Sequence, residues 1–378
     1  MPWKEVSTMS QREAFMRAYR QGEMSMSELC RAFGISRKTG YKWCQRFAVH
    51  GVAGLSDQSR RPHSSPCQTA PEMEQHVVAL RQQHPAWGGR KLKRRLEVLG
   101  YSAVPAASTI TDILRRHDLL DASQSHKHRA FQRFEMAQPN ELWQMDFKGH
   151  FPLGNGQACH PLTVLDDHAR FLVGLRACAN QTTETVQGHL TDLFRQYGLP
   201  QRMLMDNGSP WGDKQDNPYT RLTVWLLWLE VAISHGRPYH PQTQGKDERL
   251  HRTLKAEVLA LTTLDNFTHC QSAFACWRTV YNEQRPHEAL DLDVPSSRYQ
   301  PSPRPFPEQL PDLVYLPGDA IRKVDGKGHI SFRNRSLHIG KGFAGLPVGL
   351  RPDDLTDGVF HVYFHHTCVR QLDLRTVQ

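Results

Sequence analysis

The sequence predicts a multidomain protein: all-α helix-turn-helix modules at the N-terminus, a central mixed α/β layer domain and a small C-terminal β-barrel. Three observations predict it. Apolar residues recur at helical spacing up to about residue 121, alternate as in strands from 141, and return after 313 to short strand-like runs split by Gly-containing turns. Positive charge is uneven: residues 1–138 carry 22 Lys and Arg against 12 Asp and Glu, whereas the other 240 residues carry 25 against 26. Finally, HPQTQGKDERLHRTLK, from His240 to Lys255, sets the acid Glu248 among Arg249, Arg252 and Lys255. A basic block beside a neutral body points to polyanion binding in the N-terminal third.

Residues 1–52 make the first module. REAFMRAYRQG turns Phe15, Met16 and Tyr19 to one side, SELCRAFG starts at an N-cap on Ser27 and stops at Gly34, and Ser36 caps RKTGYKWCQRFAVHG. A short helix, a Gly turn and a capped basic helix form a helix-turn-helix, whose second helix lies in the major groove. That assigns Arg37, Lys38, Thr39 and Lys42 to DNA. Residues 53–70 are a basic linker with Arg60 and Arg61 placed to track a groove. Residues 71–121 read as a second helix-turn-helix or winged-helix unit. In it Met73, Val77 and Leu80 share a stripe. WGGRKLKRRLEVLGY turns Leu92, Leu96 and Leu99 inward, with Arg90 and Lys91 on its DNA side, and Ser108 caps STITDILRRHDLL. A polar, basic linker covers 122–140.

The central domain spans 141–292. LWQMDFK alternates, with Trp143, Met145 and Phe147 on one face and Gln144 and Asp146 on the other. PLTVLDD and RFLVGLRAC flank a tight DDHA turn, which predicts an antiparallel meander. A capped helix ending at Gly198, the strand QRMLMD, a buried helix, the strand VAIS and two long helices follow. In the first of these long helices Leu250, Leu254, Val258 and Leu261 form the inward stripe. This order is that of an RNase H-like α/β fold. Residues 293–312 are a Pro-rich linker; seven prolines fall within 293–317. From 313 to 378 the strands VYLP, AIRKVDGKGHISF, RSLHIG, HVYFHH and TCVRQLDL suggest the barrel.

Composition excludes several classes. No apolar run approaches 18 residues and the N-terminus lacks an apolar signal region, so neither a membrane span nor secretion is expected. The eight cysteines contain no CxxC and read as reduced thiols of a cytoplasmic protein. His365-His366 reads as a barrel-surface pair rather than a ligand pair.

Asp146, Asp206 and Glu248 carry the chemistry. Asp146 lies mid-strand, Asp206 just past a strand end, and Glu248 opens a helix, 60 and then 42 positions apart. Three converging carboxylates repel unless hard cations sit among them. Two Mg²⁺ (or Mn²⁺) ions about 4 Å apart suit in-line phosphoryl transfer. Glu248, Arg252 and Lys255 share one helix face, so a metal-binding acid and two phosphate-binding cations point the same way.

MDF at 145–147, DNGSPW at 206–211, HPQTQGKDE at 240–248 and YNEQRPHEAL at 281–290 carry a resemblance. The chain resembles the DDE-type transposases of bacterial insertion sequences, which have a retroviral-integrase-like catalytic core. That resemblance covers roughly residues 10–290. It implies that Asp146, Asp206 and Glu248 are the catalytic metal ligands, that Arg252 and Lys255 contact DNA, that Gln244-Gly245 forms a mobile loop, and that Asn207 sits beside the second acid. It implies a nucleoid-associated transposase that binds terminal inverted repeats and target DNA as a homodimer or homotetramer. Such a protein cleaves and joins strands with a 3′-OH nucleophile. Two departures stand out: the Asp206–Glu248 interval is long for the family, with the extra residues expected in WGDKQDNPYTR, and no paired His and Cys spacing marks an N-terminal zinc domain. The competing readings are a sequence-specific DNA-binding regulator with an inactive integrase core and a nuclease of RNA–DNA hybrids.

Overall fold

A computed structural model describes residues 8–57, 68–120, 135–212, 219–236 and 245–375. The chain divides into two units, Met1–Gln68 and Thr69–Gln378, each taken by itself. Arg60 and Arg61 lie outside the described residues.

The first unit holds α1 (Thr8–Gln21), α2 (Met26–Ala32) and α3 (Arg37–His50) around Phe15, Met16, Leu29, Cys30, Trp43 and Leu55. Tyr19 does not join them and is 45% exposed. α2 is capped by Ser25, not Ser27, because only Ser25 has a Glu three residues on: the Ser25 amide and hydroxyl both donate to Glu28 Oε2, at 2.9 and 2.7 Å. Ser36 caps α3 by accepting from the Thr39 amide at 3.1 Å. Gly34 takes a left-handed φ of +64° in the turn between them.

In the second unit α4 (Pro71–Gln83), α5 (Gly89–Val98) and α6 (Ala107–Arg116) enclose Val77, Leu80, Trp87, Leu92, Leu96, Ile110, Ile113 and Leu114. Leu99 is the C-cap of α5 and half exposed, since the helix has already ended. Ser108 does not cap α6. The helix begins at Ala107 after an Ala106 N-cap with no side-chain bond, because burying Ile110 with Ile113 and Leu114 draws the preceding turn into the helix.

The core sheet runs β4 (Leu172–Cys178), β3 (Ala158–Asp166), β1 (Trp143–Phe147), β5 (Arg202–Met205) and β6 (Ala232–His235), with short β2 (Phe151–Pro152) also on β3. β1, β3 and β4 form the antiparallel meander, and β5 and β6 add in parallel. α7 (Thr183–Tyr197) and α8 (Arg221–Trp228) cover one face through Trp143, Met145, Val186, Leu190, Phe194 and Leu226. α9 (Gly245–Leu254) and α10 (Phe267–Thr279) cover the other through Leu165, Leu172, Leu250, Leu254, Phe274 and Trp277. Strand alternation therefore points Gln144 and Asp146 toward the α9 side. The long helix expected after Gly245 changes to a π-turn at Lys255–Leu259, and Leu261, beyond it, is 54% exposed instead of inward.

The Pro-rich segment lies along the core. Arg304 donates to the carbonyls of Pro200, Leu229 and Glu230 at 2.8, 3.2 and 3.0 Å, and Tyr299 stacks on Phe171 at 4.0 Å. Beyond it, β12 (Thr367–Asp373), β11 (Val359–Phe364), β10 (Pro347–Pro352) and β7 (Ala320–Lys323) form an antiparallel sheet beside the hairpin β8 (His329–Phe332) and β9 (Arg335–His338). The expected barrel is not closed among the described residues: β7 and β12 are two edges. VYLP forms no strand, and β10, bounded by two prolines, escaped the sequence pattern. This sheet rests on α8 through Val224, Leu227, Phe343 and Phe364. His365 is buried rather than on the surface, its Nε2 3.3 Å from Glu230 Oε1, while His366 is exposed. Among the described residues no helix is long and apolar enough to cross a membrane.

One Arg304 guanidinium thus serves three backbone carbonyls. Arg304→Ala is expected to lower stability by about 2–3 kcal/mol, seen as a lower first midpoint in urea unfolding of the full chain.

Candidate active site

Main-chain register brings the first two acids together. β1 pairs with β5 in parallel with Gln144 opposite Leu204, and Asp146 and Asp206 each lie two residues beyond that pair, close enough for the charge of Asp206 to act on Asp146. Glu248 lies exposed in the first turn of α9, which packs against β1. Burial raises the Asp146 carboxyl to about 6, and the charges of Asp206 and, less strongly, Glu248 add to it. Burial raises Asp206 as well, against the opposing bond from the Gly208 amide to its Oδ1 at 3.0 Å. Among the described residues no Lys or Arg pairs with any of the three. Asn207 does sit beside Asp206, but its Nδ2 donates to Gly236 O at 2.9 Å.

Several residues that sequence reasoning passed over fix this geometry. The DDHA turn is a knot of buried carboxylates. Asp166 accepts from the Asn140 and Ala169 amides, both at 2.7 Å, and Asp167 accepts from the Met136 amide at 2.9 Å, from Gln144 Nε2 at 2.6 Å and from Lys246. Lys246 thus ties the start of α9 to the β3–β4 turn. His251, one turn after Glu248, has Nε2 2.9 Å from Thr163 Oγ1 and Nδ1 3.9 Å from Asp146 Oδ2. Burial, then the charge of Lys148, lowers this imidazole to about 4. Beyond α9, Glu257 accepts from Trp277 Nε1 and Arg285 Nε, both at 2.9 Å, joining the π-turn to α10. A doubled acid ending an apolar strand, and a His at i+3 from an acid, were the available signals.

The sequence-assigned DNA residues fall in different settings. Arg37, Lys38 and Lys42 are exposed on α3, with Lys42 Nζ 4.8 Å from the Trp43 ring centre, while Thr39 Oγ1 lies 2.9 Å from its capping partner Ser36. Arg90 is exposed. Lys91 turns inward, where burial and then Arg285 lower its ammonium to about 8. Its neighbours Arg94 and Arg95 meet Asp293 at 2.8 Å and Gln284 at 3.4 Å. Arg252 and Lys255 are exposed along with Glu248 on α9 and the turn after it. Gln244 and most of WGDKQDNPYTR lie outside the described residues.

Comparison with known proteins agrees with this layout. Residues 136–241 and 229–295 match two families described as integrase core domain. Residues 11–63 match a helix-turn-helix domain and 39–114 a homeodomain-like domain. Over 158 residues the chain is 28% identical to the insertion element IS407 uncharacterized 31.7 kDa protein of Burkholderia multivorans, covering 42% of this chain and 54% of that one. Over 120 residues it is 32% identical to the Gag-Pro-Pol polyprotein of Mason-Pfizer monkey virus, covering 32% of this chain and 6% of the polyprotein. The chain thus spans about half the length of the first relative and a small part of the second. A simian T-cell lymphotropic virus intasome structure aligns over 79% of this chain and 96% of its own, at 14% identity and a TM-score of 0.40. The two integrase core matches together run from β1 through α10, the part of the chain that holds the three acids. The matched segments are similar to those of bacterial insertion-sequence proteins, and residues 319–378 match the IS481 family transposase C-terminal domain.

A carboxyl raised from its ordinary value to about 6 favours the folded state while protonated, and that stability is lost as pH rises from about 4 through 6. Asp146→Asn is therefore expected to stabilise the metal-free protein above pH 6, by about 2 kcal/mol, with the gain vanishing near pH 4. Thermal unfolding in chelator at pH 4 and pH 7.5 measures it.

Proposed function

We propose that this chain binds the terminal inverted repeats of its element and catalyses hydrolytic strand cleavage followed by 3′-OH strand transfer, with Asp146, Asp206 and Glu248 as the catalytic carboxylates. The observation that carries the reading is the gathering of Asp146 on β1, Asp206 just past β5 and Glu248 at the start of α9, with no Lys or Arg paired to any of them among the described residues. Carboxylate oxygens suit hard divalent ions, and the three residues would hold Mg²⁺ or Mn²⁺, two ions in all. Such ions activate the attacking oxygen and stabilise the leaving one.

The remaining work falls to the chain. Asp146 and Asp206 keep two acceptors at a fixed separation on a rigid sheet, and α9 brings the third across from the opposite layer. Arg252 and Lys255, next to Glu248, hold the phosphate backbone and orient the scissile bond. The helix-turn-helix units supply end recognition, with Arg37, Lys38, Thr39 and Lys42 on base edges and phosphates in the groove, Arg60, Arg61 and Arg90 on phosphates, and Lys91 held back at the core interface. Joining two element ends in concert requires at least two copies on DNA.

Strand transfer of a pre-cut element end into plasmid DNA tests the reading. Asp146→Asn, Asp206→Asn and Glu248→Gln should each fall to background in Mg²⁺ while gel shifts on the end stay unchanged. Joining at the parent rate by any one removes that acid from the site, and binding without any joining by the parent favours the regulator. Arg37→Ala and Lys42→Ala should weaken end binding and each lower the salt dependence of log K by roughly 1. An unchanged slope would take them off the phosphates.

A further inference from the structure

Thr163 and His251 form a short relay behind Asp146. Thr163 pairs with Asp146 across β3 and β1, and its Oγ1 donates to the Asp146 carbonyl at 3.0 Å. A carbonyl only accepts, so the single hydroxyl proton is spent there. The same oxygen lies 2.9 Å from His251 Nε2 and must accept from it. This fixes the tautomer: the imidazole proton is on Nε2 and a lone pair is on Nδ1. Nδ1 faces Asp146 Oδ2 at 3.9 Å, beyond hydrogen-bond reach, in a setting where the two side chains are only 14% and 24% exposed. Two acceptors thus look at each other with no donor between them among the described residues.

A histidine whose far N–H is anchored to an oxygen, and whose near nitrogen is bare beside a carboxylate, has the arrangement of a metal ligand. We infer that His251 Nδ1 is a further donor to the divalent ion held at Asp146, which makes that position a mixed nitrogen–oxygen site. The inference rests on the metal-binding reading of Asp146, Asp206 and Glu248. His251 sits three residues after Glu248, so one turn of α9 presents both donors. A nitrogen donor moves preference from Mg²⁺ toward Mn²⁺ and Co²⁺.

Two other histidine settings differ. His235 Nδ1 donates to the Asp206 carbonyl at 2.8 Å, and its Nε2 is buried without a partner among the described residues. The Glu230, His365 and His366 ligand atoms lie within 4.8 Å of one another. There the Val314 amide donates to His365 Nδ1 at 3.3 Å, which puts the imidazole proton on Nε2, 3.3 Å from Glu230 Oε1. That cluster is removed from the test by working in a Glu230→Gln, His366→Gln background.

The experiment is pulsed electron paramagnetic resonance of the full chain loaded with one equivalent of Mn²⁺ without DNA. The parent background should show coupling to an imidazole nitrogen. His251→Gln should lose it while still binding Mn²⁺ several-fold more weakly, and Thr163→Val, which frees the tautomer, should weaken it. His251→Asn is read in parallel, with circular dichroism checking the fold of both replacements. Mn²⁺ bound through Asp146 with no nitrogen coupling, or with coupling that survives both replacements of His251, overturns the inference alone. Mn²⁺ binding unchanged in Asp146→Asn, Asp206→Asn and Glu248→Gln overturns the triad, and this inference with it.

Discussion

Asp146 and Asp206 come together because β1 and β5 pair in parallel just before them, and the rest of the core answers to the charge this concentrates. Two carboxylates on adjacent strands repel, and partial burial makes the repulsion stronger than it would be in water. A loop could relax and separate them. A sheet packed on both faces cannot, because Trp143, Met145 and Met203 on the same strands are buried among α7 and α8. The apolar layers therefore hold an unfavourable arrangement in place, which is how strain is maintained at sites that bind a charged partner.

The third acid arrives differently. Glu248 is exposed and, among the described residues, makes no bond that would fix it, so its position depends on how α9 is seated. Four contacts seat the helix: Lys246 on Asp167 at its start, Leu250 and Leu254 in the apolar layer, His251 on Thr163, and Glu257 on Arg285 beyond its end. Two of these, Lys246–Asp167 and Glu257–Arg285, are ion pairs with little solvent around them, where removing one partner leaves an uncompensated charge. The YNEQRPHEAL segment finds its role here. It supplies Arg285 to the π-turn after α9 and Gln284 to α5, so the α4–α6 domain and the helix that carries Glu248 share one seat.

Much of this was legible in the sequence. Alternation in LWQMDFK shows which face Asp146 takes, and the element order from 141 to 292 is enough to name the layer fold. What stayed hidden depends on contacts between distant segments. Asp166 and Asp167 look like turn formers because Asp is common in turns, yet their partners come from Asn140, Met136, Gln144 and Lys246. The Ser25 cap was readable from Ser25 and Glu28 but lost to a nearer Ser27. Leu99 and Leu261 fit a helical stripe by spacing, but spacing does not say where the helix stops, and both lie past the end. β10 was missed because a strand bounded by Pro347 and Pro352 carries the residues that ordinarily argue against one.

The same reasoning limits what net charge says about DNA. The run RKLKRR at 90–95 looks uniformly cationic, but successive residues on a helix point about 100° apart, so not all of them can meet one phosphate backbone. Arg90 faces solvent, whereas Lys91, Arg94 and Arg95 meet the core at Arg285, Asp293 and Gln284. Lys91, lowered to about 8 by burial and then by Arg285, is partly neutral near physiological pH and makes a poor phosphate ligand in that state. Part of the positive excess in residues 1–138 is thus engaged in holding α4–α6 to the catalytic core. A basic helix at such a junction can orient a DNA-reading domain without itself touching DNA, and its contribution to activity would then come through geometry rather than affinity.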